Sequence, residues 1–439
     1  MTIYRATVLD TPVDERAVWE RPDVLRVESD AAIVVRDGRV AERGPWTDIR
    51  ARRPREDVVD LREGVLLPGF VDAHAHAAQV HVLGRPGMPL PQWLEECALP
   101  EEERHVDVRA AHAAAHDAVA TMLAAGTTTA LVFGSHLAAA TEAFLDAAVA
   151  GGLRVTAGPT LADRGVPPTL RVTPAQALAE GRDLLGRRHG RDGVRYAVVP
   201  RFAPACTDDM LAVCAELQGL APGVWTTTHV NEAPDEIAQV RELFPGDPHY
   251  VGVYDRHGLV HERSVFAHSV HPGRAELDVL AARGARVAHC PTSNVRLGSG
   301  LFPLRRHLDA GVRAALGSDI GAGAGLGLLA EAREAAAVQQ LSSDDGVTLT
   351  PARLLWLATR AGALALGEEE VGDLSVGRSF DAVWVRPAEG SLLARLLAHA
   401  DDATDALGRV VTLAGAADIA GVWTRGARVV PTCAEPPGR

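Results

Sequence analysis

The sequence predicts an α/β protein: a parallel (β/α)8 TIM-like barrel with a small β-sandwich domain formed from both termini. Three observations carry this. Between about Pro68 and Leu374, short apolar runs alternate with alanine-rich helical stretches, and eight such runs succeed one another. Many of them end in a polar side chain capable of chemistry, as strands do at the C-terminal face of a barrel, where sites gather. On either side of this region the pattern changes to β-prone runs joined by hairpin turns.

A chain of 439 residues exceeds one small domain and suits a large barrel with a companion. The expected division is residues 1–66 for the first part of the β-sandwich, 67–374 for the barrel and 375–439 for the returning part. In order, the N-terminal strands are expected over residues 4–9, 25–29, 32–35 and 58–61, with Asp37-Gly38 as a hairpin turn. The barrel strands are expected over 69–73, 128–133, 154–158, 196–200, 224–229, 264–268, 286–289 and 313–319. The closing strands fall at 380–385 and 421–430, with Arg425-Gly426 as the turn.

Composition excludes several function classes. The net charge of -13 repels phosphate backbones and anionic lipid, so neither a nucleic-acid nor a membrane partner is expected. The arginines of residues 50–55 have acidic neighbours and read as a solvated segment. No basic stretch followed by an apolar core opens the chain, and no apolar run reaches the ~20 residues needed to span a bilayer. A cytoplasmic location follows as an expectation. Five cysteines without C-x-x-C spacing read as reduced thiols. Lysine is absent altogether, so all 44 basic residues are arginine. This rules out a lysine Schiff base, a P-loop lysine and a carbamylated lysine bridging two metals.

The strongest motif is Asp72-Ala73-His74-Ala75-His76. Two histidines two apart on a strand share a face, so both imidazoles can reach one ion. Alone, an H-x-H is a weak signal. Here His229, His268 and Asp319 each close a later strand, and histidines joined by one carboxylate make the ligand set of a catalytic zinc site with room for water.

With these residues in view, the sequence resembles the amidohydrolase superfamily and, within it, the guanine deaminases. The resemblance runs from Gly64 to about Gly372 through Leu67-Pro68-Gly69-Phe70-Val71-Asp72-Ala73-His74-Ala75-His76, Gln79, Trp93 with Pro100, and Gly126-Thr127-Thr128-Thr129. It continues with Pro200-Arg201-Phe202, His229-Val230-Asn231-Glu232, Ala267-His268, Ala288-His289-Cys290-Pro291-Thr292-Ser293-Asn294 and Gly317-Ser318-Asp319. It implies zinc-dependent hydrolytic deamination of guanine to xanthine and ammonia. His74, His76, His229 and Asp319 would hold one zinc ion per chain, with ferrous iron as the alternative. Asp319 would also take a proton from the attacking water, and His268 would hydrogen-bond that oxygen or lie at the metal. Glu232 would be the proton shuttle. The resemblance further implies a homodimer acting on a small-molecule purine.

Base recognition follows from donors and acceptors. Guanine presents an acceptor at O6 where adenine has an amino donor, and arginine only donates, so Arg201 favours guanine. Gln79, with a donor and an acceptor, suits the O6 and N1–H pair, while Phe202 and Trp93 offer flat apolar surfaces. Plainer readings stand beside these: Phe202 and Trp93 as core aromatics, and Gln79 as a support behind the site. Cys290 beside His289 lacks an activating base and is expected to pack or line the wall. His112 and His116, one helical turn apart, are expected on a solvated face. Residues 321–327, Gly-Ala-Gly-Ala-Gly-Leu-Gly, follow Asp319 and are expected either to widen the pocket wall or to let the chain pass a helix closely. Two other functions remain: a deaminase of another aminated ring (an aminopurine, pterin, cytosine or triazine), and a non-catalytic binder. An intact Glu232 argues against the binder.

Overall fold

The β-prone runs at the two ends of the chain join in one seven-stranded sheet. The computed structural model describes residues 1–324, 327–342 and 345–430, so Gly325, Leu326 and Cys433 lie outside the described residues. The N-terminal segment supplies β1 (Thr2–Asp10), β2 (Arg26–Arg36), β3 (Arg39–Pro45) and β4 (Asp57–Pro68). The barrel follows with β5 (Phe70–His76), β6 (Thr127–Phe133), β7 (Arg154–Gly158), a short β8 (Thr160–Leu161), β9 (Val194–Pro200), β10 (Trp225–Val230), β11 (Ser264–His268), β12 (Arg286–His289) and β13 (Arg313–Leu316). The chain then returns to the first sheet with β14 (Ala382–Val385), β15 (Ile419–Thr424) and β16 (Ala427–Val430).

The terminal sheet runs β16-β15-β14-β4-β1-β2-β3. It curls over its own core: the Val40 N–H donates to the Arg378 carbonyl at 2.9 Å, and the Tyr4 and Phe380 rings stack 4.7 Å apart inside the fold. The sandwich expected from the sequence is therefore one sheet folded on itself. Runs 25–29 and 32–35, expected as two strands, form the single β2. Arg5 on β1 holds Asp30 through two bonds of 2.7 Å, which carries the polar Ser29-Asp30 step through the pairing. Both expected hairpin turns form with positive φ at each central residue: Asp37 and Gly38 at 50° and 76°, Arg425 and Gly426 at 47° and 76°.

All eight expected barrel strands are present and pair in parallel in the order β5-β6-β7-β9-β10-β11-β12-β13. Strands buried on both faces read as continuous apolar runs, which is why the sequence marks them so clearly. The barrel is drawn together between its first and last strands, where the Asp319 N–H donates to the His74 carbonyl at 2.9 Å. Helices cover the outside with small side chains: Val108–Ala124 buries Ala111, Ala114, Ala115 and Ala118 against the strands. Alanine there permits close approach and keeps helix propensity high. Among the described residues, no helix is long and apolar enough to cross a membrane.

Candidate active site

At the C-terminal ends of β5, β10 and β11, and just beyond β13, the structure brings His74, His76, His229, His268 and Asp319 together. Asp319 Oδ1 lies 3.2 Å from His74 Nε2 and 3.3 Å from His76 Nε2. His76 Nε2 and His229 Nε2 are 3.2 Å apart. Ligand atoms of His74, His229 and His268, and of His74, His76 and Asp319, form two overlapping groups in which every pair lies within 4.8 Å.

The tautomers show what this cluster is built for. His229 Nδ1–H donates to the Arg201 carbonyl at 2.5 Å, which leaves Nε2 as a bare lone pair aimed at His76. His268 Nδ1 is 2.9 Å from Asn294 Oδ1 and donates to it, so its Nε2 also points inward as an acceptor. Both ring nitrogens of His74 are sealed from solvent without a hydrogen bond. Burial pushes the His74 imidazole down to about 4 and holds that of His229 well below its usual range, so both rings are neutral. Burial opposes ionisation of Asp319, but contacts from His74 and His76 outweigh it and keep the carboxyl well below the ordinary range. Neutral nitrogens with converging lone pairs, around an ionised carboxylate, are costly to bury alone and fit a divalent cation. A metal would satisfy the orphaned His74 nitrogen.

The backbone pays locally for this convergence. Asn231, His268, Ser269 and Asp319 all have φ between 47° and 72°, in the left-handed region that non-glycine residues seldom adopt. Asp72 offsets part of the strain: it accepts from the N–H groups of His74 (3.1 Å) and Ser318 (2.9 Å) and from the Ser318 hydroxyl (2.5 Å).

Glu232 lies at the rim of the cluster, with Oε2 3.6 Å from His268 Nε2. Burial, reinforced by the charge of Asp319, raises its carboxyl well above the usual range and so favours its proton-carrying form. Its position is fixed from behind by Glu236, which accepts from the Glu232 N–H at 3.0 Å and from the Tyr250 hydroxyl at 2.5 Å. Tyr254 in turn donates to the His229 carbonyl at 3.0 Å. Sequence reasoning missed Glu236; the signal was the i,i+4 spacing from Glu232 at a helix start, on Pro234–Leu243.

Beside the cluster opens a cleft lined by Gln79, Trp93, Arg201, Phe202 and Glu232 among others. All four expected base-reading residues therefore border one space. Trp93 is buried with Leu90 and Leu297 as part of the cleft floor, while Phe202 is partly exposed. The amide of Gln79 has a fixed orientation: its nitrogen donates one of its two N–H groups to Glu102 Oε1 at 2.8 Å, so the NH2 end faces Glu102 and the oxygen is the opposite end. Glu102 Oε2 accepts from Arg201 Nη1 at 2.7 Å, and His136 Nε2 sits 2.9 Å from the same Nη1. Neither Glu102 nor the role of His136 was legible in the sequence. Glu102 lies in the acidic stretch Glu101-Glu102-Glu103, which reads as solvated surface until the fold buries it.

Residues after Asp319 also depart from the roomy-wall expectation. Gly321 has φ +115°, and a Cβ there would meet Gln79 Oε1 at 2.4 Å; a Cβ on Gly323 would meet the Ser318 carbonyl at 2.2 Å. These glycines serve close packing against neighbouring atoms and do not enlarge the space. Cys290 is buried, and burial holds its thiol well above the usual range, so it is protonated and packs within the barrel. His112 and His116 are exposed on their helix.

Comparison with known proteins places these features in a family. The amidohydrolase family model matches residues 65–429. The chain is 49% identical to the probable guanine deaminase of Deinococcus radiodurans, over 99% of this chain and all of that protein. Its fold superposes on E. coli guanine deaminase with a TM-score of 0.93 at 32% identity, covering 98% of this chain and 100% of the other. The guanine deaminase of C. acetobutylicum with guanine bound in its active site superposes with a TM-score of 0.88 at 26% identity, covering 98% and 100%.

Proposed function

This chain belongs to the amidohydrolase family, and on that footing we propose that it hydrolyses guanine to xanthine and ammonia. The observation that carries the reading is the cleft itself. It joins a cluster of histidines and one carboxylate to Arg201 and Gln79, two side chains suited to the O6 and N1–H edge of guanine. We assign one zinc ion per chain to His74, His76, His229 and Asp319; ferrous iron suits the same ligands. When bound, such a cation lowers the pKa of water toward ~7 and supplies hydroxide near neutral pH.

The residues divide the remaining work. Arg201 donates to O6, and the Gln79 oxygen accepts from N1–H. Together they orient the ring so that C2 faces the histidine cluster, with Phe202 and Trp93 against its faces. Asp319 presents Oδ1 to His74 and His76, while Oδ2, 4.0 Å from His268 Nε2, is left to take the proton from the attacking water. His268, held by Asn294, orients that oxygen or joins the ligand set. Glu232, protonated beforehand, gives its proton to the ring nitrogen beside C2, recovers one from Asp319's side and delivers it to the amine. The C2–N bond breaks, ammonia leaves, the proton of the hydroxyl at C2 returns to Glu232, and the water oxygen remains at C2 as the second carbonyl of xanthine.

A cytoplasmic homodimer, built as a 67–374 catalytic barrel with residues 1–66 and 375–439 as its companion, is proposed from the resemblance and the sequence pattern. The test of the function is ammonia release over a panel of guanine, adenine, a pterin, cytosine and an aminotriazine. Turnover of guanine at least ~10²-fold above the others is expected. Preference for another ring would move the assignment to that substrate, and tight binding without turnover would make the protein a binder.

A further inference from the structure

We infer that Glu102 is a positioning residue that sets the hydrogen-bond polarity of the base-reading pair, by holding the NH2 end of the Gln79 amide and locking Arg201. This rests on the proposed function and deepens it. The carboxylate is buried yet ionised: burial opposes the charge, but the Arg201 guanidinium and His136 outweigh it and hold the carboxyl below its ordinary range. An ionised carboxylate only accepts. The end of Gln79 that faces it at 2.8 Å must therefore be the NH2 group, whatever the ambiguity between amide oxygen and nitrogen in other settings.

The other end of Gln79 is thereby fixed as an acceptor. Its Oε1 accepts no hydrogen bond among the described residues, and Gln79 lines the cleft. Gly321 keeps that oxygen uncovered, since any Cβ there would sit 2.4 Å from it. Arg201, which lines the cleft, is tethered at Nη1 by Glu102 and His136, and its Nε and Nη2 make no side-chain hydrogen bond among the described residues. The result is a donor beside an acceptor in fixed order. That order matches a lactam, with its carbonyl oxygen next to a ring N–H. It mismatches an aminopyrimidine edge, with an amino group next to a bare ring nitrogen, at both positions. Were Gln79 free to flip, it would tolerate either edge, and Arg201 alone would have to discriminate.

The test compares guanine with 2-aminopurine, which carries the same reactive amino group but lacks both O6 and N1–H. In the metal-loaded full-length protein, Glu102→Gln should raise KM for guanine and lower kcat/KM by at least ~10-fold, as expected when a buried hydrogen-bonding reader loses its orientation. Its kcat/KM for 2-aminopurine should hold or rise, because a released Gln79 can turn an N–H to the bare N1, whereas a merely structural role would lower it. Gly321→Ala, which covers the Gln79 oxygen without touching Glu102, should show the same split. Equal losses on both substrates, unchanged guanine kinetics, or a loss confined to kcat would each overturn the inference, and so would a Gly321→Ala protein that keeps full guanine preference if Glu102→Gln does not fold. A wild-type protein that does not deaminate guanine would instead sink the proposed function, whatever the variants do.

Discussion

Asp72, within β5, accepts both the backbone N–H and the hydroxyl of Ser318, and so ties the first barrel strand to the segment that leaves the last one, beside the ligand pair His74 and Asp319. It also accepts from the His74 N–H. Asp72→Ala would leave three buried donors without an acceptor, each costing about 1–3 kcal/mol. Unfolding in urea should show a loss above ~3 kcal/mol, and metal content should fall with it. Unfolding free energy within about 1 kcal/mol of wild type, with full metal content, would remove Asp72 from this role.

Elemental analysis of the purified protein should find about one zinc or iron per chain. His229→Ala and Asp319→Ala should lose most of it along with activity, and activity removed by a chelator should return with zinc. The absence of lysine removes the usual bridge between two metals, so two tightly held equivalents would contradict the single-ion assignment.

Burial and the charge of Asp319 favour the protonated form of Glu232, and its carboxyl reaches the cluster at His268, 3.6 Å away. Glu232→Gln should keep fold and metal while kcat falls at least ~10²-fold, the lower scale for acid-base catalysis. Near-normal turnover would exclude it as the proton carrier.

Far from the cleft, Glu15 pairs with Arg313 at 2.9 Å beneath the barrel, and burial still pushes its carboxyl up to about 7. Its value in the unfolded chain is near 4.5. The folded protein thus binds this proton more tightly, so the carboxyl makes folding less favourable as pH rises from about 4.5 to about 7. Glu15→Gln removes that dependence. The stability of the variant relative to wild type should therefore increase by on the order of 2–3 kcal/mol between pH 4 and pH 8. Denaturant titrations at both pH values check this, and a difference that stays flat would show that the carboxyl is not perturbed.

The sequence by itself determined what short-range periodicity and chemistry encode. Eight apolar runs marked eight barrel strands because parallel strands are buried on both faces. Polar residues at their ends marked the cluster, because a barrel gathers strand ends into one place. Asp37-Gly38 and Arg425-Gly426 marked two turns through their tolerance of positive φ. What it did not contain was which distant residues would meet. The same two turns pack on each other, with a Cβ on Gly426 placed 2.7 Å from Gly38 Cα, although nearly the whole chain separates them. Glu102 looked like part of an acidic surface and became a buried partner of Gln79 and Arg201. Gly321 looked like slack in a loop and is the clearance that Gln79 needs. Each of these depends on contacts between segments far apart in sequence. Burial turns a charge or a missing side chain into a specific constraint only when its neighbours are in place, and those neighbours are set by the closed barrel.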